Sequence, residues 1–198
     1  MTKIDYYYSL LSPFTYLAGA GLEEIAARHG AQIVYRPTDL FKVFNETGGL
    51  PVPKRHPFRQ EYRLQELNRL SKMNDMPLNI KPKHWPVDAT AASVMVISIA
   101  QSDGDAGAIS QAFLRACWVE ERDISDRETI ATILSENGFD MAEVERGSEA
   151  ATTEFEANAD RALENGVFGA PFYVVGDERF WGQDRLSHLD WHLGQLGR

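Results

Sequence analysis

The chain has 198 residues and a formal net charge of −9, with 29 acidic side chains against 20 basic ones. This length is enough for one large domain with its own hydrophobic core. The charge argues against a nucleic-acid binder, because such proteins need a basic surface to neutralise phosphates. No apolar run is long enough to span a bilayer, and no charged-then-apolar signal segment follows Met1. We therefore expect a cytoplasmic protein with no nucleic-acid or membrane partner.

The first forty residues are typical of a strand, a helix and a second strand. Residues 3–10 are apolar and aromatic, as in a buried strand. Apolar positions at helical spacing then run from Phe14 to Gly30, a residue that commonly ends a helix. Residues 31–37 read as a second strand that ends at Pro37. This order predicts two parallel strands with a right-handed crossover.

Residues 41–165 are predicted to be mainly helical. The stretch 41–57 reads as a loop, because it contains several glycines and prolines. Ser125-Asp126-Arg127-Glu128 matches a capping box, and Gly138 and Gly166 are natural helix ends. Helices are expected near residues 58–74, 89–102, 107–121, 127–137 and 149–165.

The C-terminal part returns to strands. Residues 172–175 and 179–181 flank Gly176-Asp177-Glu178, which predicts a short hairpin, and a last helix carries four leucines on one face. The order β-α-β, helices, α-β-β-α predicts an α/β thioredoxin-like fold with an inserted helical subdomain. In this interpretation, the thioredoxin-like domain and the insert form one structural unit. The domain comprises residues 1–40 and 166–198, with the helix near 149–165 leading in, and the insert comprises 41–165.

Cysteine and histidine do not indicate a metal site. Cys117 is the single cysteine, which excludes an internal disulfide and suits a reducing compartment. It lies in an apolar helix, so we interpret it as a buried structural thiol. His188 and His192 are four residues apart, but the glutamate of a His-Glu-x-x-His zinc motif is missing and no third ligand is evident. We expect no metal.

Ser12-Pro13 stands where the first strand gives way to the first helix. Serine is a favoured N-cap and proline a favoured first helical residue, so capping alone would explain the pair. In thioredoxin-like proteins this place holds the first cysteine of Cys-x-x-Cys, and here the two cysteine positions read Ser12 and Thr15. Neither can form a mixed disulfide, which argues against a disulfide oxidoreductase. A hydroxyl at a helix N-terminus can still donate to an anion.

The segment Gly169-Ala170-Pro171-Phe172 enters the third strand where thioredoxin-like folds have a cis-proline. A cis bond before Pro171 would leave the backbone groups of Ala170 free to pair with an extended peptide ligand. An ordinary proline at the start of a strand is the alternative.

The segment Trp181-Gly182-Gln183-Asp184-Arg185 runs from the last strand into the last helix. Asp184 could simply cap that helix. Alternatively, the N–H groups of Gln183 and Asp184 could bind a ligand carboxylate while the Asp184 side chain receives an ammonium. A site for both a carboxylate and an ammonium, together with Ser12 and Ala170-Pro171, suggests glutathione. Ser12 and the helix dipole would then activate the thiol of glutathione.

The helical insert is expected to form the other wall of the site. Lys54 and Arg55 follow a Pro-Val-Pro turn, and either could receive the glycine carboxylate of glutathione or a substrate carboxylate. Solvated surface cations are the alternative, and Lys42 is a weaker candidate of the same kind. Trp85 could pack on an aromatic substrate, or it could be a plain core residue.

Five segments together resemble the 2-hydroxychromene-2-carboxylate isomerases, relatives of kappa-class glutathione transferases and DsbA-type oxidoreductases, and the resemblance covers essentially the whole chain. The segments are Leu11-Ser12-Pro13-Phe14-Thr15-Tyr16-Leu17-Ala18, Pro77-Leu78, Phe113-Leu114-Arg115-Ala116-Cys117-Trp118-Val119-Glu120, Phe168-Gly169-Ala170-Pro171 and Trp181-Gly182-Gln183-Asp184-Arg185-Leu186.

This resemblance implies a homodimeric, glutathione-dependent enzyme of aromatic catabolism. Its expected reaction is the cis–trans isomerisation of 2-hydroxychromene-2-carboxylate or a related enone acid. The resemblance also implies that Ser12 activates glutathione and that Ala170 and the residues from Trp181 to Asp184 contact it. Ser9 and Asp88 depart from the acid and the asparagine that family members often carry, which bears on the substrate.

Two other functions stay open. A kappa-like glutathione transferase or peroxidase would share the thiol site but use a different electrophile. A non-catalytic thioredoxin-like module would instead bind an extended peptide beside Pro171.

Overall fold

A four-stranded mixed sheet in the order β2-β1-β3-β4 forms the centre of the computed structural model, which describes residues 1–196. β1 (Lys3–Tyr8) pairs in parallel with β2 (Gln32–Pro37). On its other side β1 pairs antiparallel with β3 (Phe172–Val175), which forms a hairpin with β4 (Glu178–Trp181). The predicted βαβ start and C-terminal hairpin are both confirmed, although β1 ends at Tyr8 rather than at residue 10.

Both faces of β1 are buried, which explains why its sequence lacks the alternation of a half-exposed strand. On one face Tyr6 stacks on Tyr8 and on Tyr173, with ring centroids 4.5 and 5.2 Å apart. On the other face Tyr7 belongs to a smaller apolar cluster with Phe172. The tyrosine rings therefore fix the middle of the sheet from within the core.

The first helix is shorter than the sequence predicts. One continuous helix from Phe14 to Gly30 was expected, but the chain forms α1 (Pro13–Leu17) and α2 (Gly21–His29) instead. Gly19 adopts a left-handed conformation (φ +57°) between them, which interrupts the helical path. The helix that begins after Ser12 therefore has only five residues, so its dipole is small.

The prediction of a loop over residues 41–57 is wrong in its first half. Residues Leu40–Thr47 form α3, capped by the Asp39 carboxylate, which accepts a hydrogen bond from the Phe41 N–H at 2.9 Å. Every glycine and proline of the stretch lies beyond residue 47. These residues favour a loop and led to the wrong prediction for the whole stretch. The helix itself ends at Gly48 (φ +75°).

The other predicted helices are present, and α8 is an additional helix that the sequence pattern did not indicate. Their bounds are Pro57–Met73 for α4, Thr90–Gln101 for α5, Ala106–Trp118 for α6, Arg127–Glu136 for α7, Met141–Glu145 for α8, Ser148–Glu164 for α9 and Leu186–Leu196 for α10.

The capping box before α7 is shifted by one residue from its predicted place. Asp126, not Ser125, is the N-cap, and its carboxylate accepts from the Thr129 N–H at 2.8 Å. The Ser125 hydroxyl instead donates to Asp123 at 2.6 Å. An aspartate caps as well as a serine, so composition alone could not decide between the neighbours.

Helices α5 and α6 connect the sheet to the rest of the chain. α5 is buried around most of its circumference and packs on β2, α6 and α9, as expected of a central helix. Ile109 and Phe113 of α6 are fully buried in the same cluster as Ile4 of β1 and Leu67 of α4. Sheet and helices therefore share one core. Among residues 1–196, no helix combines the length and apolar character needed to cross a bilayer.

Replacing Ile109 with alanine should lower the free energy of unfolding by about 2–5 kcal/mol, because it leaves a cavity between helices and sheet. Urea denaturation followed by circular dichroism and by tryptophan fluorescence should show one coincident transition. Met73→Ala, at a residue 72% exposed, is the control and should change stability by less than about 0.5 kcal/mol. Two separated transitions would contradict a shared core.

Candidate functional site

Ser12 caps α1, and its hydroxyl keeps a proton to donate. Its Oγ accepts a hydrogen bond from the Thr15 N–H at 3.2 Å, and its own N–H donates to the Ser9 carbonyl at 3.0 Å. A serine hydroxyl offers two acceptor positions and one donor, so the cap uses only an acceptor position. The capping and anion-binding interpretations of Ser12 are therefore compatible.

The antiparallel register of β1 and β3 brings the second segment to the same edge of the sheet. Tyr7 lies opposite Phe172, so the residues that follow β1 and those that precede β3 emerge together. The cis peptide predicted between Ala170 and Pro171 is present. Within the described residues neither backbone group of Ala170 makes a backbone hydrogen bond, so both remain available to a ligand.

The third segment is attached directly to the second. The Gly182 N–H donates to the Pro171 carbonyl at 2.9 Å. Residues Gln183–Arg185 then form a 3₁₀ turn that leads into α10 and packs against α1. Like any first helical turn, this turn presents N–H groups without a partner inside the helix. The structure thus gathers Ser12, Pro171 and the 3₁₀ turn in one region.

Two glycines allow this arrangement. Gly182 has φ +112° and ψ 154°, a backbone region open almost only to glycine, and a Cβ there would lie 2.5 Å from Asp184 Oδ1. A Cβ on Gly169 would lie 2.5 Å from the indole nitrogen of Trp181. Trp181 is 53% exposed and packs edge-on against Phe168, so it forms an accessible aromatic wall.

Asp184 is ion-paired with its neighbour. Its Oδ2 lies 2.9 Å from Nη1 of Arg185, and both side chains are about half exposed. Such exposed pairs contribute little free energy, so a ligand ammonium can compete for this carboxylate.

Trp85 reaches the site from the insert. Its indole N–H donates to the carbonyl of Leu11 at 3.0 Å, beside Ser12, and its ring lies 5.7 Å from the buried Trp118. The guanidinium of Arg63 lies over the Trp85 ring, 5.4 Å from the ring centroid. The sequence does not mark Arg63 as a site residue, because its contact with Trp85 joins positions far apart in the chain.

The predicted cations differ in their surroundings. Lys42 forms an ion pair with Asp160 of α9 at 2.6 Å, so its charge already has a partner. Lys54 is exposed at the end of the 3₁₀ turn Val52–Lys54. Arg55 is partly buried and donates from Nε to the Leu50 carbonyl at 2.7 Å. Burial, and then the charge of Arg59, lower the pKa of Arg55.

Cys117 is a buried thiol, as predicted, and burial raises its pKa to about 12. A thiol with that pKa stays protonated at neutral pH and is a poor nucleophile. Among residues 1–196, no three side chains of histidine, cysteine, aspartate or glutamate come together as metal ligands.

Comparison with known proteins identifies the family. The family model of the DSBA-like thioredoxin domain matches residues 3–194. The 2-hydroxychromene-2-carboxylate isomerase of Pseudomonas putida is 30% identical over an alignment that covers 98% of this chain and 96% of the relative. The chain belongs to this isomerase family. It is an isomerase-like enzyme built on a DsbA-like thioredoxin fold.

A solved structure and a more distant relative agree with this assignment. The structure of a 2-hydroxychromene-2-carboxylate isomerase matches with a TM-score of 0.81 and 29% identity, covering 99% of this chain and 96% of that chain. Glutathione S-transferase kappa 1 of Rattus norvegicus is 20% identical, with coverage of 97% of this chain and 91% of the relative. The thioredoxin-like fold predicted from the sequence is therefore confirmed by the family model and by the isomerase structure.

Gly182→Ala should lower the free energy of unfolding by about 1–3 kcal/mol, since alanine is strained at that backbone conformation and its Cβ would meet Asp184. Gly176→Ala is the matched control, because Gly176 also has positive φ (+57°) but open space around its Cβ. Thermal unfolding should show the larger loss for Gly182→Ala. Equal losses would contradict the close approach at Asp184.

Proposed function

We propose that this enzyme catalyses the glutathione-dependent cis–trans isomerisation of 2-hydroxychromene-2-carboxylate or a related enone acid. The supporting observation is the convergence of Ser12, Ala170-Pro171 and the turn Gln183–Arg185 at one edge of the sheet. The name of the relative from Pseudomonas putida supports the substrate class. A homodimer in the cytoplasm, with no nucleic-acid or membrane partner, completes the proposal.

Ser12 would stabilise the sulfur of bound glutathione. Its hydroxyl is fixed by the bond from the Thr15 N–H, so the free proton can be directed at an anion without a large loss of side-chain entropy. Because α1 has only five residues, this hydroxyl, rather than a helix dipole, would contribute most to lowering the thiol pKa. The role suits a site that offers no accessible thiol of its own, since Cys117 is buried.

The peptide part of glutathione would lie along Ala170 and the 3₁₀ turn. The N–H and C=O of Ala170 would pair with the cysteine backbone of the ligand, as an added strand pairs with a sheet edge. The N–H groups of Gln183 and Asp184 would bind the γ-glutamyl carboxylate, while the Asp184 side chain would bind its ammonium. Trp181 and Gly182 would contact the same end of the ligand.

The reaction requires a nucleophile that adds and leaves without a net change of oxidation state. When bound, glutathione would supply a thiolate that adds reversibly to a conjugated carbon, so that the adjoining bond can rotate. Ser12 would hold the sulfur in place before and after this step. Trp85 would pack on the aromatic part of the substrate, and Lys54 or Arg55 would lie near its carboxylate.

A kappa-like transferase or peroxidase is the second candidate, favoured by the similarity to the rat kappa-class enzyme. Absorbance assays with 2-hydroxychromene-2-carboxylate and with chlorodinitrobenzene distinguish the two functions. The proposal predicts glutathione-dependent turnover of the chromene acid. Turnover of chlorodinitrobenzene alone would favour the transferase, and no binding of glutathione at all would favour a peptide-binding module.

Ser12→Ala should lower kcat by about 10²-fold, the effect of removing one donor to a developing anion. It should also raise the pKa of bound glutathione, because the thiolate loses its donor, and ultraviolet thiolate absorbance against pH measures this shift. Loss of the helix cap should cost about 1 kcal/mol of stability, so folding must be checked by circular dichroism.

Thr15→Val is the matched control for this experiment. The Thr15 hydroxyl is buried and has no hydrogen-bond partner among the described residues, while its N–H, which valine keeps, makes the bond to Ser12. Its kcat should stay within about two-fold of the parent's, since removing a hydroxyl that makes no hydrogen bond leaves no other group unpaired. Unchanged kcat and thiolate pKa in Ser12→Ala would contradict the proposed role of Ser12.

A further inference from the structure

Three arginines near the start of α4 lack acidic partners in the part of the chain that the structure describes, although the net charge is −9. Nine other arginines form ion pairs with aspartate or glutamate. Within residues 1–196, no carboxylate lies within ion-pair distance of Arg55, Arg59 or Arg63, although acidic residues outnumber basic ones. An acidic protein that keeps three unpaired cations together has a local surplus of positive charge, which attracts anions.

Arg63 is the most unusual of the three. It is only 8% exposed, and no hydrogen bond joins its guanidinium to any described residue. Burial and the charge of Arg55 lower its pKa to about 10. A buried cation without a partner destabilises the folded chain, because it loses hydration and gains no ion pair in return. Such a group is typical of a position whose partner is a ligand.

The guanidinium of Arg63 is nevertheless open to a ligand. The buried side-chain nitrogens and oxygens that have neither a partner nor contact with solvent belong to Thr15, Glu23, Trp118 and Tyr173. The nitrogens of Arg63 are not among them, so they retain access to solvent. The side chain is thus largely buried while its charged end keeps contact with solvent.

This cationic end lies beside the proposed thiol site. The guanidinium stands 5.4 Å from the ring centroid of Trp85, and the Trp85 indole donates to the carbonyl of Leu11. Leu11 immediately precedes Ser12, so two contacts connect Arg63 to the backbone beside the residue that would hold sulfur. The cation therefore contacts the aromatic ring that is hydrogen-bonded to the residue before Ser12.

We propose that Arg63, assisted by Arg55, binds the carboxylate of a ligand that lies beside Trp85 and Ser12. A guanidinium presents two parallel N–H donors that match a carboxylate, which a lysine cannot do. The carboxylate belongs either to an aromatic acid substrate or to the glycine end of glutathione. The assignment of this ligand to an isomerisation rests on the proposed function, whereas carboxylate binding itself does not.

The test measures whether Arg63 recognises the carboxylate specifically. Calorimetry compares salicylate with salicylamide, which lacks the charge, and glutathione with its glycine monoethyl ester. The proteins are the parent, Arg63→Met, and Arg69→Met as the control, because Arg69 lies on the same helix but already pairs with Glu66. In Arg63→Met, either salicylate or glutathione should bind ~10-fold or more weakly than to the parent. The affinity of the matching amide or ester should be unchanged.

Each outcome decides the proposal. Selective loss of salicylate assigns the site to an aromatic acid, and selective loss of glutathione assigns it to the glycine carboxylate. If Arg63→Met changes neither acid, or weakens acid and neutral analogue alike, the proposal is wrong. Arg63→Lys keeps the charge without the paired donors and should show the same selective loss to a smaller degree, which decides the matter if the methionine variant does not fold.

The same experiment separates this proposal from the proposed function. If the parent binds salicylate through Arg63 but does not bind glutathione, the carboxylate site stands and the glutathione-dependent reaction fails. Glutathione and its ester could bind equally well to the parent and to every variant, with salicylate binding no better than salicylamide. In that case the carboxylate site fails while the glutathione-dependent reaction stands.

Discussion

The antiparallel register between β1 and β3 is the constraint on which the candidate site depends. Because Tyr7 lies opposite Phe172, the chain leaves β1 toward Ser12 at the edge where it enters β3 from Pro171. The β3–β4 hairpin then returns the chain to Gly182, whose N–H bonds to the Pro171 carbonyl. Slipping this register would turn buried tyrosines outward, so core packing fixes the site geometry as well.

The DsbA-like thioredoxin fold of this chain carries the Ser12 hydroxyl where thioredoxin-like proteins have the first cysteine of Cys-x-x-Cys. Ser12 serves as a helix cap through one acceptor position and retains its proton, so stability and anion binding do not compete at this residue. The opposite holds for Arg63, whose unpaired and buried charge opposes folding. Strain or unpaired charge that a protein keeps despite its cost is concentrated at functional sites.

Much of this could be predicted because the signals are local. Ser12-Pro13, the Gly-x-Pro before β3 and the alternation of strand and turn near the C-terminus each occupy a few adjacent residues. The interruption at Gly19 could not be predicted, since isolated glycines also occur within helices. Arg63 was missed for a different reason. Its sequence neighbours are typical of an exposed polar helix, and its contact with Trp85 joins residues 22 positions apart.

The central claim is that the chain binds glutathione and holds its sulfur as a thiolate. Calorimetry in buffers of different ionisation enthalpy measures the protons released on binding. Glutathione should release protons on binding near neutral pH, and the analogue whose thiol is replaced by a methyl group should bind more weakly without proton release. Equal affinities with no proton release in either case would contradict the claim.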